Sequence, residues 1–224
     1  MAREGNTTDV LEWFLDAGVS DITIDPREVA KNVGIAQKEI ATLAELKEAM
    51  RKVDISIKNC AQNMVFGVGN EHAEVLLLGE APGAEEDRQG IPFVGQSGQL
   101  LDKILAAVGL DRTKVYITNI LPWRPPGNRT PTLEEVTLFR PYVIKHISLV
   151  NPKIIVCLGG VASKALLQTT QSMSRLRGKW AKIDELSAEI LPTFHPAYLL
   201  RSPSQKREAW NDFLLVKNHL LDRK

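Results

Sequence analysis

The chain has 224 residues, of which 44% are hydrophobic, and this is enough to bury the core of one domain. Its 28 basic and 27 acidic residues nearly cancel, so the formal net charge of +1 excludes a strong overall field that would attract nucleic acid or a membrane surface. The cysteines, Cys60 and Cys157, lie far apart, and we find no signal peptide and no long apolar span. We therefore expect a soluble, cytoplasmic protein with reduced thiols and no membrane partner.

The first 60 residues are predicted to form a helical extension that packs on a domain spanning residues 61–224. A capping-box signal and an apolar stripe predict a short helix over residues 9–17. Residues 35–53 carry many charges and predict a second helix, which we interpret as a solvated cover or a linker.

From Val75 onward, short apolar runs alternate with helical patterns. The runs VLLLG, VYITN, IIVCLG and EILPTF are typical of strands buried on both faces of a parallel sheet. Their alternation with helices predicts an α/β fold with helices on both faces of that sheet. The predicted helices are one capped by Ser97 and closed by Gly109, one that begins at a Thr132–Glu135 capping box and runs to about Val150, one over 161–167 and one over 204–222.

Ligands of open parallel sheets bind at the carboxyl ends of the strands, where four loops begin at Gly79, Asn119, Gly159 and His195. Glycine and proline occur in any loop, so one such loop would carry little meaning on its own. Four unusual loops at the same edge of a sheet indicate a binding site.

Several side chains in these loops suit a nucleotide whose base enters a pocket. Phe93 can stack on a planar ring, although a buried anchor is equally consistent with its position. The Asn119 amide can pair with the edge of a base, and His195 can donate to an oxygen that acquires negative charge; their alternatives are a turn residue and a structural histidine. Phosphates would meet glycine turns and helix starts such as Ser97. Local positive charge comes from Arg124, Arg129, Arg201 and Lys206.

Three long motifs, GEAPGAEEDRQGIPFVGQSGQLLD, VYITNILPWRPPGNRTP and TFHPAYLLR, occur in this order and resemble the motif set of the family 4 type of uracil-DNA glycosylase. The resemblance runs from about Val65 to Arg201 and includes VFGVGN and RGKW. It implies a three-layer αβα sandwich with a small four-stranded parallel sheet. It also implies excision of uracil from DNA, in base excision repair, without a nucleotide or nicotinamide cofactor.

The resemblance implies a role for each matching residue. Phe93 would stack on the flipped uracil, and Asn119 would read its Watson–Crick edge. His195, as a neutral imidazole, would stabilise the uracil anion as it leaves. Glu80 and Glu86 would stabilise the cationic sugar or orient the attacking water, with the division between them open.

Further contacts follow from the same motifs. The segment AYLLR would enter the duplex, with Leu199 or Leu200 as an apolar wedge and Arg201 near a phosphate. Ordinary core packing is the alternative for both leucines. The remaining expected contacts are Ala81, Gly83, Ser97, Gly159 and Pro196 to the substrate, and Arg124 and Arg129 to DNA.

One departure from the family concerns its iron–sulfur cluster, which many members bind through four cysteines. The equivalent positions here are Lys52, Ile55, Trp123 and Phe139. Cys60 and Cys157 cannot replace four thiolates, so we predict no cluster, no metal and no cofactor. We expect Trp123 and Phe139 to fill its space by packing.

Three hypotheses follow for the function. The first is a monofunctional, monomeric uracil-DNA glycosylase, with uracil-containing DNA as its substrate and downstream base excision repair enzymes as partners. The second is a DNA-binding relative with lost or altered chemistry, which includes a covalent-capture variant, although the segment DRQGIPF lacks the histidine of such enzymes. The third is a nucleotide or phosphate-ester enzyme, for which the sequence offers no P-loop and no metal-ligand spacing.

Overall fold

The computed structural model of the protein describes residues 40–221, so the helix predicted over residues 9–17 lies outside the described part. Within residues 40–221, no helix is both long enough and apolar enough to span a bilayer. The elements in chain order are α1 (Leu43–Lys52), β1 (Val68–Gly69), β2 (Val75–Gly79), α2 (Ala84–Gln89), α3 (Gln96–Ala107), β3 (Val115–Asn119), α4 (Leu133–Val150), β4 (Ile154–Leu158), α5 (Gly160–Leu167), α6 (Met173–Leu176), β5 (Glu189–Thr193), α7 (Pro196–Arg201) and α8 (Lys206–Leu221), with 3-10 turns at Ser56–Cys60, Pro126–Asn128 and Pro203–Gln205.

The sheet has the strand order β1-β3-β2-β4-β5. The four strands predicted from the apolar runs are all present, and they pair in parallel. The fifth strand, β1, is a two-residue edge strand antiparallel to β3, with Val68 paired to Ile117. The expected count of four strands is therefore one too low, because two residues are too short to show a period of apolar residues.

Successive residues of each strand point to opposite faces, and this builds two hydrophobic cores. Leu76 and Leu78 face one core, which is completed by residues of α1, α4 and α5. Val75 and Leu77 face the other core, which contains residues of α3 and α8. The sheet is thus the middle layer of three, as the resemblance implies, and its strand ends are open to a site.

Two of the predicted helix ends are confirmed, and one is wrong. Thr132 and Glu135 form the capping box of α4, and Gly109 follows the end of α3 with a φ of 84°. Ser97, in contrast, does not cap α3: the N-cap is Gly95, which has no side chain to offer, and Ser97 lies within the first turn. A carboxylate from the preceding helix takes part of the capping role, since Glu86 accepts hydrogen bonds from the amides of Val94 and Gly95.

Helix α1 is more than the solvated cover that its charged sequence indicates. It begins at Leu43 after a Thr42–Glu45 capping box, and it buries Leu46 and Met50 in the core shared with α4. The two residues are one helical turn apart, so a narrow apolar stripe is enough to attach a charged helix to the domain.

Replacing Leu46 with alanine is expected to lower the free energy of unfolding by about 2 to 5 kcal/mol, because the side chain is fully buried and leaves a cavity. Denaturant unfolding followed by circular dichroism measures this. The matched control is Leu215→Ala on α8, a leucine that is 37% exposed. A loss for Leu46→Ala no larger than that of the control would show that α1 does not belong to the cooperative unit.

Candidate active site

A cavity of about 440 Å³ lies at the carboxyl edge of the sheet. It collects the loops that follow β2, β3 and β5, as the strand order predicts. Ten of the predicted site residues line it: Glu80, Ala81, Gly83, Glu86, Phe93, Ser97, Asn119, Arg129, His195 and Arg201.

Gly79, Asn119 and Phe93 meet at the base of the cavity. Gly79, the last residue of β2, pairs with Asn119 at the end of β3. A Cβ atom added to Gly79 would lie 2.3 Å from Asn119 Oδ1 and 2.7 Å from two ring carbons of Phe93. A side chain at position 79 would therefore displace either the amide or the ring.

The amide of Asn119 is buried, and its Oδ1 has no hydrogen-bond partner among residues 40–221. An acceptor buried without a partner costs about 1 to 3 kcal/mol. Such atoms are rare in folded proteins, and a functional role of the group is one of the recognised explanations. A ligand N–H beside the Phe93 ring would supply the missing donor.

His195 precedes α7 and acts as its N-cap, because its Nδ1 accepts a hydrogen bond of 3.1 Å from the amide of Ala197. Nδ1 is therefore unprotonated, so the neutral ring carries its proton on Nε2. The rings of His195 and Phe93 are tilted by 32°, with centroids 5.7 Å apart. Burial lowers the pKa of His195 to about 4, with a further lowering by the charge of Arg201 and an opposing effect of Glu86. The imidazole is neutral near pH 7.

The two carboxylates of the site differ in how they are held. Oε1 of Glu86 accepts hydrogen bonds of 2.9 and 2.8 Å from the amides of Val94 and Gly95, so this side chain is fixed against the loop that carries Phe93. The carboxylate of Glu80 has no hydrogen bond or ion pair with any side chain or amide of residues 40–221, and burial raises its pKa. The two residues therefore have different environments in the same cavity.

Five of the predicted residues do not line the cavity. Gly159 lies against His195, since a Cβ atom added to it would be 2.9 Å from the Cβ of His195. Leu199 is only 1% exposed and Leu200 is 41% exposed, so the structure separates the two leucines that the sequence leaves equivalent. Pro196 is buried, and Arg124 donates to Asn128.

Arg129 lines the cavity, but an acidic partner neutralises its charge. Its guanidinium donates to both carboxylate oxygens of Glu135, at 2.8 and 2.6 Å. The same Glu135 closes the capping box of α4, so the ion pair attaches the loop after β3 to a helix start. This pairing limits the contribution of Arg129 to phosphate binding.

Sequence reasoning missed six lining residues: Pro82, Pro125, Asn128, Thr130, Ala197 and Tyr198. All six lie inside the three long motifs, and this position is the signal by which the sequence could have identified them. Tyr198 is half-exposed at 36%, and its ring centroid lies 5.1 Å from that of Phe194. It widens the apolar part of the rim beyond Phe93.

The residues at the family's cluster positions do not fit an iron–sulfur cluster. Trp123 and Phe139 are buried and pack edge to face with ring centroids 5.7 Å apart, and Ile55 packs against the same core. None of these side chains is a thiolate ligand. Cys60 is exposed, Cys157 is buried in β4, and residues 40–221 contain no group of three or more His, Cys, Asp or Glu suited to a metal ion.

The ammonium group of Lys58 contacts both the end of α1 and the loop after β3, the two segments that contain Lys52 and Trp123. Lys58 Nζ donates to the backbone oxygens of Arg51 and Val53 at 2.5 and 3.1 Å, and it lies 5.5 Å from the centre of the Trp123 ring. A cation over an aromatic face is attracted by the ring electrons. The end of α1 and the loop after β3 are thus held together by a lysine and an aromatic pair.

The fold and the cavity define an α/β protein whose sheet carries, at its carboxyl edge, a cavity lined by the side chains of Phe93, Asn119 and His195. The family model described as the uracil DNA glycosylase superfamily matches residues 66–214. The chain is 38% identical to the type-4 uracil-DNA glycosylase of Archaeoglobus fulgidus, over 75% of this chain and 87% of the relative. It is 38% identical to the type-4 enzyme of Pyrobaculum aerophilum over 78% and 96%, and 39% identical to that of Thermotoga maritima over 71% and 88%. The chain belongs to the uracil-DNA glycosylase superfamily and groups with its type-4 members.

Nuclear magnetic resonance of labelled imidazoles is expected to show that His195 titrates near pH 4 and that its neutral ring is protonated on Nε2. Replacing Arg201 with glutamine removes a nearby positive charge and is expected to raise the midpoint. A wild-type midpoint near the usual value of about 6.5 would contradict the effect of burial on the ring. A proton on Nδ1 would contradict the N-cap hydrogen bond from Ala197.

Proposed function

We propose that this chain is a uracil-DNA glycosylase that hydrolyses the bond between uracil and deoxyribose and leaves an abasic site. The observation that carries the proposal is the unpartnered Oδ1 of Asn119 beside the Phe93 ring. Uracil presents a ring N–H, which supplies the donor that Asn119 Oδ1 lacks, and its planar ring can stack on Phe93. The similarity to three type-4 uracil-DNA glycosylases supports the same conclusion.

The target base reaches the cavity by rotating out of the duplex, because a base inside the stack cannot contact residues at the end of a β-strand. Leu200 is the candidate wedge for the space that the base leaves, since it is exposed and precedes Arg201, a residue of the cavity wall. Leu199 is packed in the domain and serves to hold α7. The positive charge of Arg201 suits a phosphate beside the flipped nucleotide.

His195 stabilises the leaving uracil. Cleavage of the glycosidic bond places negative charge on the base, and the Nε2–H of neutral His195 can donate to an oxygen of that anion. A fixed donor of this kind contributes about 3 to 4 kcal/mol to the transition state. Because Ala197 holds Nδ1, the imidazole needs no reorientation during the reaction.

The environments of the carboxylates suggest different roles. Glu80 is untethered, so its carboxylate can face the cationic sugar and orient the attacking water. Glu86 is anchored to two amides and forms a fixed wall next to Phe93. Glu80 acts in its ionised form, and burial raises its pKa, so the rate is expected to fall as the solution becomes acidic.

The proposed substrate defines the partners. Uracil-containing DNA binds at the cavity, and enzymes that process abasic sites consume the product. A monomer suffices, because one chain supplies all residues of the described cavity. A cytoplasmic location stays a prediction.

Single-turnover release of uracil from a labelled oligonucleotide tests the proposal. Wild-type protein is expected to release the base. His195→Ala is expected to slow release by about 100- to 1000-fold through loss of the Nε2–H donor. Asn119→Ala is expected to slow it at least about tenfold through loss of base pairing. Binding of the oligonucleotide without release would instead support a DNA-binding relative with lost chemistry.

The same assay separates the two carboxylates. Glu80→Gln is expected to remove the acidic fall in rate together with most of the activity. Glu86→Gln keeps the wild-type pH dependence and weakens base binding. The matched control is Glu48→Gln, an exposed carboxylate of α1 that pairs with Arg51 and lies outside the cavity.

We also propose that the chain functions without an iron–sulfur cluster, because the residues at the ligand positions are an aromatic pair, an isoleucine and a lysine. Protein purified without exposure to air is expected to contain less than about 0.1 iron per chain and to lack the visible absorption of such clusters. Stoichiometric iron that disappears in Cys60→Ser or Cys157→Ser would contradict this proposal.

A further inference from the structure

Phe93 adopts a backbone conformation that a bulky residue rarely takes. Its φ is 55°, in the left-handed region. Holding a residue there costs about 1 to 3 kcal/mol and requires support from its surroundings. Because the direction of the ring depends on this backbone, whatever holds the conformation also sets the stacking surface.

Arg112 supplies that support from outside the cavity. It lies in the turn between α3 and β3, outside the three motifs that carry the family resemblance. One guanidinium nitrogen donates to the carbonyl of Pro92 at 3.1 Å, and a second donates to the carbonyl of Phe93. The third nitrogen donates to Asp102 at 2.8 Å, so all three nitrogens of the planar group are in use.

Helix α3 closes the other side of the same carbonyl. A Cβ atom added to Gly98 would lie 1.7 Å from the oxygen of Phe93, so the peptide group rests directly against the helix backbone. Asp102 is on this helix four residues after Gly98, which places the two on one face. The Phe93 carbonyl is therefore fixed between a helix and a guanidinium that the same helix orients.

We propose that Arg112, oriented by Asp102, is a positioning residue that holds the Phe93 ring in place for stacking on the substrate base; this rests on the proposed function. Arg112 does not line the cavity and acts through the backbone of Phe93. A lysine cannot reproduce the arrangement, because a single ammonium does not span two adjacent carbonyls and a carboxylate.

A double-mutant cycle between Arg112 and Phe93 tests the proposal with single-turnover uracil release. Arg112→Met is expected to slow release by about tenfold or more in the wild-type background, and by less than about twofold in the Phe93→Ala background. Arg112→Lys is expected to restore little of the loss, whereas added guanidinium ion restores part of the rate of Arg112→Met. An equal slowing in both backgrounds, or a wild-type rate for Arg112→Met, would overturn the proposal.

Hydrogen exchange of the loop amides provides a readout that does not depend on activity. Arg112→Met is expected to speed exchange at Val94 and Gly95, whose amides are bonded to Glu86, and to leave Ile155 in β4 unchanged. The matched control is Arg51→Met, which removes an exposed arginine paired with Glu48 on α1 and is expected to change neither rate nor exchange.

The outcomes separate the two proposals. If wild-type protein releases no uracil, the proposed function is wrong, and the exchange data alone decide whether Arg112 holds the loop. If release is normal and Arg112→Met alters neither rate nor exchange, the positioning role is wrong and the function stands. Should Arg112→Met fail to fold, Asp102→Asn replaces it in the cycle, with a smaller effect that must also vanish in Phe93→Ala.

Discussion

The site depends on the close approach of Phe93 and Asn119 over Gly79. The parallel register of β2 and β3 ends both strands at the same level, so Asn119 stands beside Gly79. The missing side chain of Gly79 makes room for the ring and the amide together. Under the proposed function, stacking and edge recognition of one base would use this arrangement, because a planar ligand must contact both groups at once.

The charges of the site are balanced locally, which agrees with the near-neutral chain. Glu135 pairs with Arg129, Asp102 pairs with Arg112, and His195 is neutral. Glu86 is held by backbone amides.

Two charged side chains of the cavity wall, those of Glu80 and Arg201, have no hydrogen-bond or ion-pair partner among residues 40–221. The other charged groups of the site are held by partners that orient the loops. Preorganised dipoles of this kind stabilise developing charge without a large net charge.

The loop after β3 is held by packing and charge contacts with α1 and α4. Trp123 packs on Phe139 in the core, while Lys58 connects the Trp123 ring to the end of α1. Arg129 attaches the far end of the loop to α4. Aromatic packing, a cation over a ring and an ion pair together fix a segment whose Pro125, Asn128 and Thr130 face the cavity.

Local sequence patterns predicted the four parallel strands and the Thr132–Glu135 cap, and the rule for parallel sheets predicted that the loops meet at one sheet edge. The tertiary structure alone decided that Gly95 rather than Ser97 caps α3, and that Leu199 is buried while Leu200 is exposed. It alone brought Arg112 to the carbonyl of Phe93, 19 residues earlier in the chain. Contacts between distant residues depend on how the elements pack, and no local period or spacing encodes them.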